Sequence, residues 1–335
     1  CRFIGERKAL LTSRPAMSKQ KRLQAGYAGH AVPAGQAKNA PEEGRMQQSR
    51  LISLIEETAP PALAAPWDKS GIQVASPRTE ILHLAVSLDP APDVVSAAVG
   101  LGADMLLTHH PLSLSARFPD RLDGYRRTLA LLLAHDMPHY AAHTSLDANP
   151  FGPSVWLSDE LGLTGRSVLE ATGVARLPDG REIAGGFGCV GDLPDAPAPE
   201  VFFMKMGELL SSCGAFRANL IGTLPERIRR VALCTGSGAS LAEAAFRQGA
   251  DIYITGDFKY HSALDLEWID TSTPRPFAAL DVGHFSLEEE MTRRFASLIR
   301  EQADGLRVSF IPGRDPFTPL TLTSEPTEVS REYAH

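Results

Sequence analysis

Apolar residues fall into regular spacing from residue 47 onward. In "SRLISLIEETAPPALA" the side chains of Leu51, Ile52, Leu54 and Ile55 share one helical face, and Pro60-Pro61 stops the helix. "APWDKSGIQVAS" reads as a loop leading into a short strand. "ILHLAVSLD" (81–89) predicts a strand, "APDVVSAAVGLGA" a helix and "DMLLTHH" a second strand. A strand, a helix of about ten residues and another strand is the βαβ pattern of a parallel sheet. "RRTLALLLAHD" predicts the next helix and "MPHYAAHTSLD" the next strand.

The pattern then repeats. At a shift of 147 residues Ile81 meets Ile228, Ala85 meets Ala232, Gly102-Ala103-Asp104 meets Gly249-Ala250-Asp251, and Thr108 meets Thr255. "YAAHTSLD" (140–147) also aligns with "FAALDVGH" (277–284), a shift of 137 that makes Asp147 and His284 equivalent. The expected fold is α/β: two similar lobes from an internal duplication, each a mostly parallel sheet with flanking helices. The first lobe is assigned to 47–165 and the second to 166–325, with a connecting segment near 185–200 and a tail at 326–335. "RLPDGREI" predicts a hairpin turn, "GDLPDAPAPE" a proline-rich connection, and "VFFMKMGELLSSCG" a helix or strand-helix element.

Residues 1–46 break the pattern. They hold nine Lys/Arg against three Glu, so this stretch carries +6 while the whole chain is −7 and the remainder −13. Rich in Gln, Ala, Gly and Lys, it is expected to be a disordered N-terminal extension. The acidic body lacks a phosphate-neutralising stripe, which argues against nucleic acid as a partner. With 43% apolar and 22% charged residues the composition is that of a globular protein. No apolar run reaches 18 residues, so no membrane span is expected. The four cysteines are scattered with no C-x-x-C pair, which argues against a thiolate zinc site or a disulfide framework and points to a reducing cytoplasm.

Polar residues collect where the strands end: His109, His110, His143, Asp147, Asp257, His261, Asp281 and His284. Parallel sheets present ligands beyond the carboxyl ends of their strands. Ser286 and Glu289 form a predicted capping box, which puts Glu288 in the first helical turn and His284 just before it. Imidazole and carboxylate without thiolate suit Zn, Mn, Fe or Co. Five or more such ligands exceed what one tetrahedral ion needs and fit two divalent ions about 3.5–4 Å apart. His143 and His261 are candidate proton carriers. "TGSGAS" (235–240) reads as a tight turn, with a phosphate cradle as the sharper alternative. His83 and His139, inside strand patterns, read as structural.

"APPALAAPWDKSG", "LLTHHPL", "AAHTSLD", "GGFGCVGDL", "ITGDFKYHSALD" and "DVGHFSLEEE" occur in that order along 47–323. Together they resemble the Nif-three-like dinuclear-metal-centre family, the GTP cyclohydrolase I type 2 homologues. The resemblance implies His109, His110, Asp147, His284 and Glu288 as metal ligands, lobes meeting near the metals, and a hexameric ring. It further implies hydrolysis of a nucleotide, GTP opened at C8 of its purine. Lys69 stands where the family usually has Asn, and Cys189 where an arginine is common. The alternative reading is a metal-stabilised oligomeric ring that binds a partner without turnover.

Overall fold

A computed structural model describes residues 44–176, 180–211, 217–269 and 275–318. The predicted tail, nearly all of the predicted extension, and the Pro178-Asp179 part of the hairpin turn lie outside them. Met46, the last residue of that extension, is inside: strand β1 (Met46–Gln47) pairs with β3 (Glu80–Ile81). Between them run helix α1 (Gln48–Thr58), which buries Leu51, Leu54 and Ile55 and ends just before Pro60-Pro61, and strand β2 (Gly71–Val74).

The first βαβ unit follows as β4 (His83–Ser87), α2 (Pro92–Gly100) and β5 (Met105–Thr108). Helix α3 (Gly124–Ala134) and β6 (His139–Ala141) complete it. The short helices α4 (Thr144–Asp147) and α5 (Trp156–Glu160) lead to the long hairpin β7 (Thr164–Arg176) and β8 (Glu182–Asp192). Then come α6 (Pro199–Leu210), β9 (Asn219–Gly222), β10 (Arg230–Ser237), α7 (Ala242–Arg247) and β11 (Ile252–Gly256). The chain continues through α8 (Tyr260–Glu267), β12 (Ala278–Asp281), α9 (His284–Gln302) and β13 (Arg307–Phe310).

Among the described residues two larger sheets accompany the β1–β3 pair, as the α/β expectation requires. One has the order β13-β4-β5-β6-β2, parallel except for β2; the other is β7-β8-β10-β11-β12-β9, with β10, β11 and β12 parallel and the rest antiparallel. Every residue of β4, β5 and β11 is buried, which is why these strands read as continuous apolar runs without alternation. One hydrophobic core draws on both sheets, with Leu84 and Leu107 from the first, Val231 and Ile254 from the second, and Leu287, Met291 and Phe295 from α9. Helix α9 packs against β4 and β13 on one side and β10 and β11 on the other. Its N-terminus is thereby delivered to the place where strand ends of both sheets meet.

Three sequence expectations are corrected. The third strand of the first unit stops at Ala141, and Asp147 sits on α4, because the loop before β2 takes over the backbone: Ser70 Oγ accepts from His143 N–H and Asp68 from Thr144 N–H. Strand pairing puts Ala141 beside Thr108 and Asp281 beside Thr255, so the third-strand shift is 140 and Asp147 is not the equivalent of His284. The parallel ladders put Ala85 opposite Leu106 in one sheet and Ala232 opposite Tyr253 in the other. Finally, β13 crosses back to pair with β4, so a boundary drawn at 165/166 does not separate the two sheets.

Candidate metal centre

Strand β5 ends in a ladder that outlasts its last residue: His109 N–H donates to Ser87 O and His110 N–H to Leu88 O. Thr108 Oγ then donates to His110 O at 2.6 Å, which folds the strand tip so that both rings face one region, with centroids 5.0 Å apart. His143, the residue before α4, brings a third ring, 5.3 Å from His109 and 5.8 Å from His110. Helix α4 carries Asp147, whose Oδ1 accepts from Thr235 Oγ1 of β10 at 3.1 Å.

The opposite side comes from α9. The predicted Ser286/Glu289 capping box is not made. Gly283, at φ +83°, turns the chain straight from β12 into the helix, so α9 starts at His284. Glu289 is engaged elsewhere, accepting from Gly313 N–H at 2.8 Å. His284 and Glu288 therefore stand at i, i+4 on one face, contrary to the sequence reading, with Nε2 and Oε2 2.7 Å apart.

Glu288 is the hub. Its carboxylate is nearly inaccessible; Oε2 lies 2.9 Å from His110 Nε2, and Oε1 lies 3.5 Å from His109 Nε2, which is itself 3.7 Å from Asp147 Oδ2. Among the described residues three sets of donor atoms each fall within 4.8 Å of one another: His109, Asp147 and Glu288; His110, His284 and Glu288; and His109, His110 and His143. His261 belongs to none of them and lies exposed at the start of α8, its ring 5.4 Å from Tyr260. Asp281 is absent from them too, its oxygens accepting from Phe258 and Gly283 N–H.

Each histidine is oriented from behind. Nδ1 of His109 donates to Ala142 O (2.9 Å), that of His110 bonds Asp89 (2.7 Å), that of His143 bonds Asp68 (2.8 Å), and that of His284 bonds Asp257 (2.7 Å). This leaves four Nε2 atoms converging, the arrangement in which a carboxylate or carbonyl fixes the tautomer of a metal-ligating imidazole. Asp257 does so from a left-handed backbone at φ +60°, a costly conformation for a non-glycine residue. Asp68 is held well below the usual carboxylate range: burial opposes this, but hydrogen bonds from His143, Thr144 and Ser70 prevail.

The electrostatics ask for a cation. Burial pulls His110 down, but Asp89 and Glu288 override it and push the imidazole up to about 10; for His284, Glu288 and Asp257 do the same, to about 9. Burial raises Asp147, with Glu288 adding to it against the pull of His109. Glu288 is lowered despite its burial because His109, His110 and His284 surround it. The buried His109 Nε2, His284 Nε2 and Glu288 Oε2 have no well-formed hydrogen bond. Buried donors and acceptors left without partners are costly. Divalent ions in their midst would satisfy nitrogen and oxygen together, so the residues fit the metal.

Several supporting residues went unassigned in the sequence. Asp68 and Asp89 resemble ordinary turn formers, and their role shows only through the rings they hold. "TGSGAS" is a close approach to the site: a Cβ on Gly236, at φ +65°, would lie 2.1 Å from Glu288 Oε1. One on Gly256 would lie 2.6 Å from His284 N. His83 and His139 are structural as expected, bonding Ser309 Oγ and Thr108 Oγ1. Cys189 is buried in β8, opposite Leu233 of β10.

The family model for Duf34/NIF3 (NGG1p interacting factor 3) matches residues 46–316. A Clostridium perfringens protein named GTP cyclohydrolase 1 type 2 homolog is 29% identical over 279 residues, covering 81% of this chain and 99% of the relative. A Lactococcus lactis protein of the same name is 30% identical over 267 residues, covering 78% and 95%. The crystal structure of a Bacillus cereus protein related to NIF3 matches with a TM-score of 0.69 at 22% identity, covering 81% of this chain and 98% of that one.

Proposed function

The chain belongs to the Duf34/NIF3 family, and from that premise we propose that it is a dinuclear-metal-dependent hydrolase acting on a nucleotide. The observation that carries the reading is the two-sided carboxylate of Glu288. Oε1 faces His109 and, beyond it, Asp147, while Oε2 faces His110 and His284. In this proposal His109, Asp147 and Glu288 would hold one divalent ion, and His110, His284 and Glu288 the other. When bound, such ions lower the pKa of a coordinated water to about 7 and stabilise charge on the attacked centre.

The remaining work falls to the chain itself. His143, fixed by Asp68 and placed beside His109 and His110, takes the role of proton carrier. His261 lies outside the cluster and is the weaker candidate. Trp67, more than half exposed and edge-on to His143 at 5.9 Å, offers a substrate a flat apolar wall. The nucleotide comes from the name of the relatives, GTP cyclohydrolase 1 type 2 homolog. Two ions suit a phosphoester equally well. A hexameric ring in a reducing cytoplasm completes the proposal. Its support is the sequence resemblance, the free buried Cys189 and Cys234, and the lack among the described residues of a helix long and apolar enough to cross a membrane.

Turnover of GTP, other nucleotides and simple phosphoesters by metal-loaded protein tests the reading, beside Glu288→Ala. The expected result is hydrolysis that falls by about 100-fold or more in the variant while the oligomer persists. No turnover with Zn, Mn, Fe or Co, together with an assembly that falls apart on chelation, would instead make it a metal-stabilised scaffold.

A further inference from the structure

The two-ion arrangement leaves one oriented imidazole, His143, without a metal. We propose that His109, His110 and His143 form a second, mutually exclusive site, which takes a single imidazole-preferring ion such as Zn(II) or Co(II). The inference uses the donors of the centre but does not rest on the hydrolase reading.

The three donor atoms lie within 4.8 Å of one another, with no carboxylate in the set. Every Nδ1 is already committed, to Ala142 O, Asp89 and Asp68, so all three rings present Nε2. The support behind His143 is the most complete in the centre. The Asp68 side chain is fully buried, with one oxygen on the ring and the other accepting from Ser70 Oγ, Thr144 N–H and Thr144 Oγ1. A carboxylate so constrained holds the ring in one orientation and fixes its tautomer, as behind a metal-ligating imidazole. His109 Nε2 is buried and has no hydrogen-bond partner.

Exclusivity follows from lone pairs. An imidazole whose Nδ1 is occupied offers one pair at Nε2. His109 and His110 can thus serve either the three-histidine site or the two carboxylate-containing sites, never both. Three neutral nitrogens with an open fourth position suit zinc, whereas Mn(II) favours the sets that contain carboxylate. Metal identity and supply would then select between one ion on three imidazoles and two ions around Glu288.

Cobalt(II) is the probe, because its visible absorption reports coordination number. In Asp147→Asn/Glu288→Gln, which disables both carboxylate sets, one cobalt per chain is expected, with intense tetrahedral bands that zinc abolishes. Adding His143→Ala should weaken that binding by roughly tenfold or more. In the parent, the spectrum of the first half-equivalent should change with His143→Ala, a readout that stands even where the double variant fails to fold. Folded double variant that takes no cobalt, or cobalt bound equally well without His143, would overturn the proposal, as would an unchanged first-half-equivalent spectrum. The dinuclear reading fails on a different result, a parent that never takes up a second ion.

Discussion

Gly236 has less freedom than any candidate ligand beside it. Its left-handed backbone and the 2.1 Å from a hypothetical Cβ to Glu288 Oε1 both demand glycine. Gly236→Ala must therefore move either β10 or the Glu288 carboxylate. The expected outcome is a loss of stability on the order of 1–3 kcal/mol, read by urea melting, together with reduced metal content. Wild-type metal content in a stable Gly236→Ala would show that the contact is not what holds Glu288. The sequence could offer His109, His110, His284 and Glu288 as candidate ligands because imidazole and carboxylate carry metal-binding chemistry in themselves. Gly236 could not be assigned in the same way, since its reason lies 52 residues away on another element. Asp68 and Asp89 escaped for a related reason: they act through a histidine, and in sequence such a carboxylate is indistinguishable from one that starts a turn.

Among the elements, α9 was the most legible in extent and the least in its first turn. "FSLEEEM" carries a capping-box pattern, but the helix starts earlier, after Gly283, and Gly313 N–H engages Glu289. Three consecutive glutamates, 288, 289 and 290, are buried there, and each is accommodated differently. Glu288 has the histidines, Glu290 has Arg293 and Arg294, and Glu289, which burial pushes up to about 7, has the Gly313 N–H. The helix is pinned by Trp156, whose Nε1 donates to Leu287 O at 3.1 Å from a fully buried ring. Trp156→Ala should cost about 3–5 kcal/mol in a urea titration. A cost under about 1 kcal/mol, typical of surface positions, would mean that α9 holds its place without it.

Strand β6 supplies the pH dependence at this scale. Thr108 Oγ1 gives its proton to His110 O and so accepts from His139 Nε2–H, which fixes the tautomer of that buried imidazole. Burial pushes His139 down to about 3. As pH falls below about 6.5 the unfolded chain takes up a proton there that the folded chain refuses. Folding stability is lost as pH falls from that value toward 3, and above it His139 has no such effect. His139→Gln should flatten the acid side of the stability profile between pH 6 and 4; an unchanged slope would show that other groups govern it.

At the scale of the whole molecule, the centre sits where two sheets and α9 meet. The βαβ units were visible in the sequence because buried parallel strands write their residues as unbroken apolar runs. The return of β13 to β4 was not, since four residues, "RVSF", carry too little pattern to name a partner sheet. The consequence is that Asp147 of α4 and Glu288 of α9, carried on helices that meet between the two sheets, bring buried carboxylates to one place. Folding and metal binding are then linked, because ions that bind only the folded chain stabilise it. A strong chelator should lower the melting temperature of metal-loaded protein by about 5 °C or more and leave that of Glu288→Ala nearly unchanged.

The most direct test counts metal in purified, metal-replete protein, per chain, beside His110→Ala and Glu288→Ala. Close to two ions per chain, falling in both variants, is the result this structure predicts. Less than half an ion per chain, unaffected by either substitution, would contradict it and leave the converging imidazoles as a polar junction between two sheets.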